Sequence, residues 1–178
     1  MCYHQEVVTR YLYLRPEHPR LPWIQDLRRR YDPLAEKVPP HLTVVFPFPD
    51  PRSPTRLVSL LNEFLPTRTF SFSLSGPVRD GEYLYFPVDE GKEMLAILHD
   101  ALYEALPPGL LSPGRPYVPH LTFGRCRTPE EGDRILRELR RFDREGEGEI
   151  VGAVIGHLEE PDGAELIEYE KKLKFRSS

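Results

Sequence analysis

The chain has 178 residues, 39% of them hydrophobic and 29% charged, which suits an ordinary water-soluble fold with a core of useful size. A net charge of −4 and a pI near 5.9 exclude a broad basic face for coating nucleic acid, although a small basic pocket stays compatible with them. Cys2 and Cys126 fit no metal spacing, and no secretory leader or membrane-length apolar run is visible, so free thiols and a cytoplasmic protein are expected.

In chain order the elements read as strand, helix, strand, twice over. Residues 6–14 are rich in β-branched and aromatic side chains and predict a strand. A helix follows over 22–31, with Trp23, Ile24 and Leu27 on one face. A proline-bearing loop then leads into a strand over 41–48. Ser53-Pro54 has the form of an N-cap with proline at the first helical position, and Leu57, Leu60, Leu61, Phe64 and Leu65 give that helix its apolar stripe. Phe70, Phe72 and Leu74 alternate with serines, the period-2 pattern of a half-buried strand. Asp80-Gly81 signals a hairpin turn into a strand over 83–88.

The order then recurs. Met94 to Ala105 carries a helical stripe, and a Pro/Gly-rich loop over 107–119 delivers a strand at 120–125. Thr128-Pro-Glu-Glu131 has the form of a capping box ahead of a helix that runs to about Phe142. Strands near 149–157 and 166–175, joined through Pro161-Asp162-Gly163, close the chain.

Pro40-His41-Leu42-Thr43-Val44 aligns with Pro119-His120-Leu121-Thr122-Phe123 at a spacing of 79 residues. The same shift carries Phe70 to Glu149, the start of the later strand, which marks an internal duplication. Such units pack as two lobes about a pseudo-two-fold axis. The expectation is one bilobal domain over 1–178, with pseudo-repeats at about 1–80 and 81–178.

Alternate residues of a strand share a face, so His41 and Thr43 lie together, as do His120 and Thr122, opposite apolar neighbours destined for the core. Across a two-fold, two imidazoles and two hydroxyls converge. Displacement at phosphorus needs a base for the attacking oxygen and an acid for the departing one, and imidazole titrates in the range that suits both. Hydroxyls can donate to the non-bridging oxygens, whose charge grows in the transition state.

The constellation resembles the 2H phosphoesterase superfamily, also called the 2′-5′ RNA ligase-like family, whose mark is two H-x-[T/S]-x motifs, one per lobe. Here they are His41-Leu-Thr-Val and His120-Leu-Thr-Phe. Phe46 and Arg125, each five residues after its histidine, and Tyr117, three before the second, agree with the family pattern. The resemblance implies a bilobal α+β fold with antiparallel sheets lining a central cleft. It also implies a metal-free enzyme, with no cofactor, acting on 2′,3′-cyclic phosphates of RNA ends or nucleotides, or on 2′-5′ linkages. Turnover by ligation, and a non-catalytic module that binds RNA ends, are the alternatives.

Other residues are candidates with competing roles. Arg125 is a phosphate ligand if a bulge at Gly124 turns it to the motif face, and a structural ion-pair partner otherwise. Tyr117 stacks on a base or covers the core, and Arg115 meets a phosphate or stays solvated. Arg28-Arg29-Arg30 and Lys171-Lys172 read as solvated faces, and the remaining histidines as surface or structural. No partner beyond the substrate and no membrane contact is expected, and a monomer is the default.

Overall fold

The computed structural model describes residues 7–110, 116–139, 146–159 and 163–174. The elements run β1 (Val8–Glu17), α1 (Leu21–Tyr31), β2 (Leu42–Asp50), α2 (Pro54–Leu61), β3 (Phe70–Ser73), β4 (Val78–Asp80), β5 (Tyr83–Pro87), α3 (Lys92–Ala105), β6 (His120–Arg125), α4 (Pro129–Glu138), β7 (Glu147–Glu159) and β8 (Ala164–Lys172). This is an α+β fold. Its strands form one antiparallel sheet in the order β3-β7-β1-β2-β6-β5-β4, and β8 also pairs with the long strand β7.

The duplication organises the sheet. Its two halves meet at a single residue pair, Leu42↔Leu121, and these leucines are equivalent under the 79-residue shift. The pseudo-two-fold therefore passes through that pair. Strands of each repeat pair with the other, β7 with β1 and β4 with β5. The first helices cross over too, α1 lying against β6 and α3 against β2. Shifted by 79, residues 68–80 become 147–159, the span of β7. The first repeat breaks this span into β3 and β4 at Ser75-Gly76-Pro77, where proline has no N–H for a ladder.

One core serves both repeats. Leu12, Leu14, Ile24 and Leu27 pack in a continuous cluster with Leu42, Leu84, Phe86, Leu95, Leu121 and Phe123. Truncating a fully buried leucine such as Leu42 or Leu121 to alanine would cost about 2–5 kcal/mol.

Local signals differ in outcome. Thr128 caps α4, its hydroxyl accepting from Glu131 N at 3.2 Å, while the Glu131 carboxylate accepts from Arg127 N at 2.7 Å. Ser53 precedes α2 in extended backbone but makes no such bond; Arg56 stands where a capping box needs Glu or Gln. Helix α2 stops at Leu61, short of the expected Leu65, although Leu65 still reaches the core. Phe142, Pro161 and Asp162 lie outside the described residues. Arg28 is a correction: it is 1% exposed, not solvated. Its guanidinium bonds Asp32 at 2.9 Å, Gln25 Oε1 at 3.1 Å and Leu34 O at 3.4 Å, fastening the turn that leads toward His41. Lys171 likewise donates to Leu65 O at 3.3 Å rather than standing free. Among the described residues no helix is long and apolar enough to cross a membrane.

Candidate active site

The two motifs are positioned by the same local device. His41 Nδ1 bonds Pro39 O at 2.8 Å, and His120 Nδ1 bonds Val118 O at 2.6 Å. Pro39 and Val118 are themselves equivalent under the 79-residue shift. A carbonyl only accepts, so each Nδ1 carries the hydrogen, and each neutral ring presents Nε2 as its basic atom. The ring orientation and tautomer are thus fixed twice, by backbone, in matching fashion.

Each imidazole also lies against a tyrosine from the neighbouring strand. The Tyr13 ring is 4.8 Å from that of His41, and the Tyr85 ring 4.4 Å from that of His120. Tyr13 pairs in register with Thr43, and Tyr85 with Thr122, so histidine, threonine and tyrosine share one face in each repeat. Motif reading alone misses these tyrosines, although the signal is there. Tyr11-Leu12-Tyr13-Leu14 and Tyr83-Leu84-Tyr85-Phe86 are repeats of one another, 72 residues apart. The offset departs from 79 because the second repeat has a longer connection to its motif. Neither threonine hydroxyl is engaged by another described residue, which leaves both available to a ligand.

Burial governs the electrostatics. The His41 pKa is pushed down to about 4, chiefly because burial disfavours the charged ring. The Pro39 carbonyl and Asp32 work against that shift, while Arg28 and His120 add to it. His120 is lowered as well, again chiefly by burial, opposed by the Val118 carbonyl and Asp80. His120 is thus among the charges that His41 feels across the two motif strands.

Symmetric bulges set the rest of the site. In the first repeat Tyr13 faces Thr43 while Leu12 faces Val45, so Val44 is the extra residue. In the second, Tyr85 faces Thr122 while Leu84 faces Gly124, so Phe123 is extra. The second bulge restores Arg125 to the face of His120, opposite Tyr83, and its guanidinium lies 4.8 Å from the centre of the Tyr83 ring. The strand parity that would have turned Arg125 away is thereby reversed, one residue earlier than a bulge at Gly124. Gly124 has another use: a Cβ there would lie 2.4 Å from Tyr31 Cβ, so only glycine admits α1 at this distance.

Tyr117 sits at the edge of β2. Its hydroxyl donates to Thr43 O at 2.8 Å, and one face of its ring is stacked on His99 at 3.9 Å and 1°. His99 is buried and its Nδ1 donates to Val44 O at 2.8 Å, while Tyr103 OH accepts from Phe46 N at 3.1 Å. Three side chains of the second repeat therefore hold the motif strand of the first. Phe46 is 44% exposed, edge-on to Tyr117 and His99. Arg115 lies outside the described residues.

Comparison with known proteins identifies the family and the fold. Residues 16–159 match the 2′-5′ RNA ligase superfamily. A phosphoesterase-named protein of Bacillus cereus strain B4264 is 34% identical over 128 residues, covering 66% of this chain and 69% of its own. A protein of the same designation from Bacillus mycoides strain KBAB4 matches to the same extent, 34% over 128 residues. Among solved structures, Escherichia coli LigT complexed with 3′-AMP superposes with a TM-score of 0.62 at 16% identity, covering 94% of this chain and 99% of LigT. A Thermus thermophilus protein gives a TM-score of 0.59 at 18% identity, covering 95% of this chain and all (100%) of that one. The chain belongs to the 2′-5′ RNA ligase superfamily, the two-histidine phosphoesterases.

Proposed function

We propose that this enzyme opens 2′,3′-cyclic phosphates at RNA ends or on nucleotides to give 2′-phosphates, or cleaves 2′-5′ phosphodiester linkages, using two histidines and no metal. The observation that carries the reading is the matched pair of imidazoles, each held through Nδ1 with Nε2 bonded to no other described residue, one from each repeat about the Leu42↔Leu121 axis. One Nε2 removes a proton from water as its oxygen bonds to phosphorus. The other, protonated, delivers its proton to the departing 3′ oxygen as the P–O3′ bond breaks. Thr43 and Thr122 donate to the non-bridging oxygens, where charge accumulates. A bound phosphate supplies the negative charge that favours protonation of one ring, offsetting the burial that keeps both neutral in the free protein. That LigT was crystallised with 3′-AMP supports a nucleotide-type ligand for this fold. Because one chain contributes both histidines, the same reading makes a monomer sufficient.

The test is turnover of a short RNA ending in a 2′,3′-cyclic phosphate, with chelator present, by wild type and by His41→Ala and His120→Ala. A 2′-phosphate product, reduced by roughly 10²–10⁴-fold in each variant, is expected. A variant keeping half the activity removes that histidine from the mechanism, and loss of activity on chelation removes the metal-free reading. Binding of the RNA end without product would make the chain a recognition module, and joining to a second RNA hydroxyl would make it a ligase.

A further inference from the structure

We propose that Tyr13 and Tyr85 are positioning residues for the reaction, their ring faces stabilising the imidazolium form of His41 and His120. The inference rests on the two-histidine reading above and adds the means by which rings in so buried a place hold a proton.

Opening a cyclic phosphate makes one imidazolium as it consumes the other. The base gains a proton from water, and the acid gives its proton to the departing oxygen. Both rings are set where burial disfavours that charged form. A buried cation needs a partner, and a carboxylate on Nδ1 is the usual one for a reacting histidine. Here Nδ1 of each ring meets a carbonyl, from Pro39 or Val118. Among the described residues no carboxylate forms an ion pair with either imidazole. What each ring has instead is the face of a tyrosine.

The contact is built twice to one geometry. The ring centres of Tyr13 and His41 are 4.8 Å apart with planes at 41°, and those of Tyr85 and His120 are 4.4 Å apart at 42°. Tyr13 stands opposite Thr43 and Tyr85 opposite Thr122, each one diagonal step from its histidine, so strand register sets both pairs. Both spacings fall inside the roughly 6 Å over which the negative face of a ring attracts a cation. The phenols themselves stay neutral. Burial, and then Glu165, holds Tyr13 protonated far above its ordinary range, and burial, and then Asp80, raises Tyr85. The rings therefore act on the histidines as neutral π faces. The charged and titratable groups that also face the imidazoles are Arg28 of α1, Asp32 after it and His120 for His41, and Asp80 of β4 for His120.

The experiment titrates the His120 imidazole by NMR in wild type and with Tyr85 replaced. It sets the result beside kcat and KM on a short RNA ending in a 2′,3′-cyclic phosphate. Tyr85 is only half-buried, so Tyr85→Leu leaves the core filled. This variant should lower the His120 pKa by about 0.5–1 and kcat by about three- to tenfold, with KM changed less than about twofold. Tyr85→Phe should rescue both quantities. Fluorines added to that phenylalanine drain the ring face with little change of shape, and each should lower the pKa further. The same fluorinated series at Tyr13, which keeps a fully buried site occupied, should lower the His41 pKa. An unmoved His120 pKa beside a lowered kcat makes Tyr85 a packing residue and overturns the proposal. So does a Tyr85→Phe variant that behaves like Tyr85→Leu, which assigns the effect to the hydroxyl. Absence of turnover by wild type overturns the hydrolytic reading alone, since the titration decides on the ring and the imidazolium without any substrate.

Discussion

The two repeats present the same motif by different means of support. In the first, His41 follows a turn pinned by the buried pair Arg28–Asp32, and its ring rests on Tyr13, which has no exposed surface (0%). In the second, His120 rests on the partly exposed Tyr85, and the preceding residues reach across to the other repeat through Tyr117 and His99. What is held in common is narrow: the Nδ1–carbonyl bond, the threonine two residues on, the tyrosine opposite it, and the bulge that follows. What differs lies outside that set, notably Phe46 against Arg125. The comparison separates the set common to both motifs from the residues peculiar to each.

The largest expected effect breaks the symmetry of the chemistry itself. His41→Ala and His120→Ala should each lower turnover by about 10²–10⁴, with bell-shaped pH–rate behaviour lost in both. Unequal losses would show that one imidazole carries more of the transition state. Next is the support found in the first repeat. Asp32→Ala leaves a buried guanidinium unpaired and should lower unfolding free energy by about 3 kcal/mol in denaturant titration. Gly124→Ala tests the second repeat, where a Cβ collides with Tyr31; about 1–3 kcal/mol of destabilisation is expected. Alanine at Val45, the counterpart under the 79-residue shift, removes atoms from a packed site instead and acts by a cavity.

Tyr117→Phe removes one hydrogen bond to Thr43 O and should cost about 1 kcal/mol, with a smaller loss of kcat than either histidine variant shows. Acid sensitivity gives the mildest contrast. Both imidazoles have a folded-state pKa below the ordinary value, so the unfolded chain binds more protons in the interval between them. Their contribution to stability is present above about pH 6.5 and is lost as pH falls; for His41 the loss runs down to about 4. Denaturation midpoints from pH 7 to 4 should therefore fall less steeply for His41→Gln than for wild type.

The motif face is legible in the sequence because strand parity and duplication are written in residue spacing. That His41 shares a face with Thr43, and His120 with Thr122, follows from period-2 alternation, and the duplication supplies the shift that relates the two pairs. The orientation of Arg125 is not, because a bulge reverses parity, and Phe123 carries no glycine or polar mark to announce one. Arg28 departs from its sequence reading for a related reason. A run of three arginines looks uniformly solvated, yet only the backbone path after α1 brings Asp32 and Leu34 O around the first of them. Tyr13 and Tyr85 stay inconspicuous because aromatic residues are ordinary strand formers, and their meaning lies in register with Thr43 and Thr122.

The pairing of strands across the two repeats has a kinetic side. Tyr13 of β1 must find Val154 of β7, and Leu42 of β2 must find Leu121 of β6. Neither half can complete its sheet from its own residues, so the ordered state arrives late, after long loops have been closed. Refolding should be slow for a chain of this length, and it should proceed as one event: two separately expressed halves would stay unstructured apart and gain structure only on mixing.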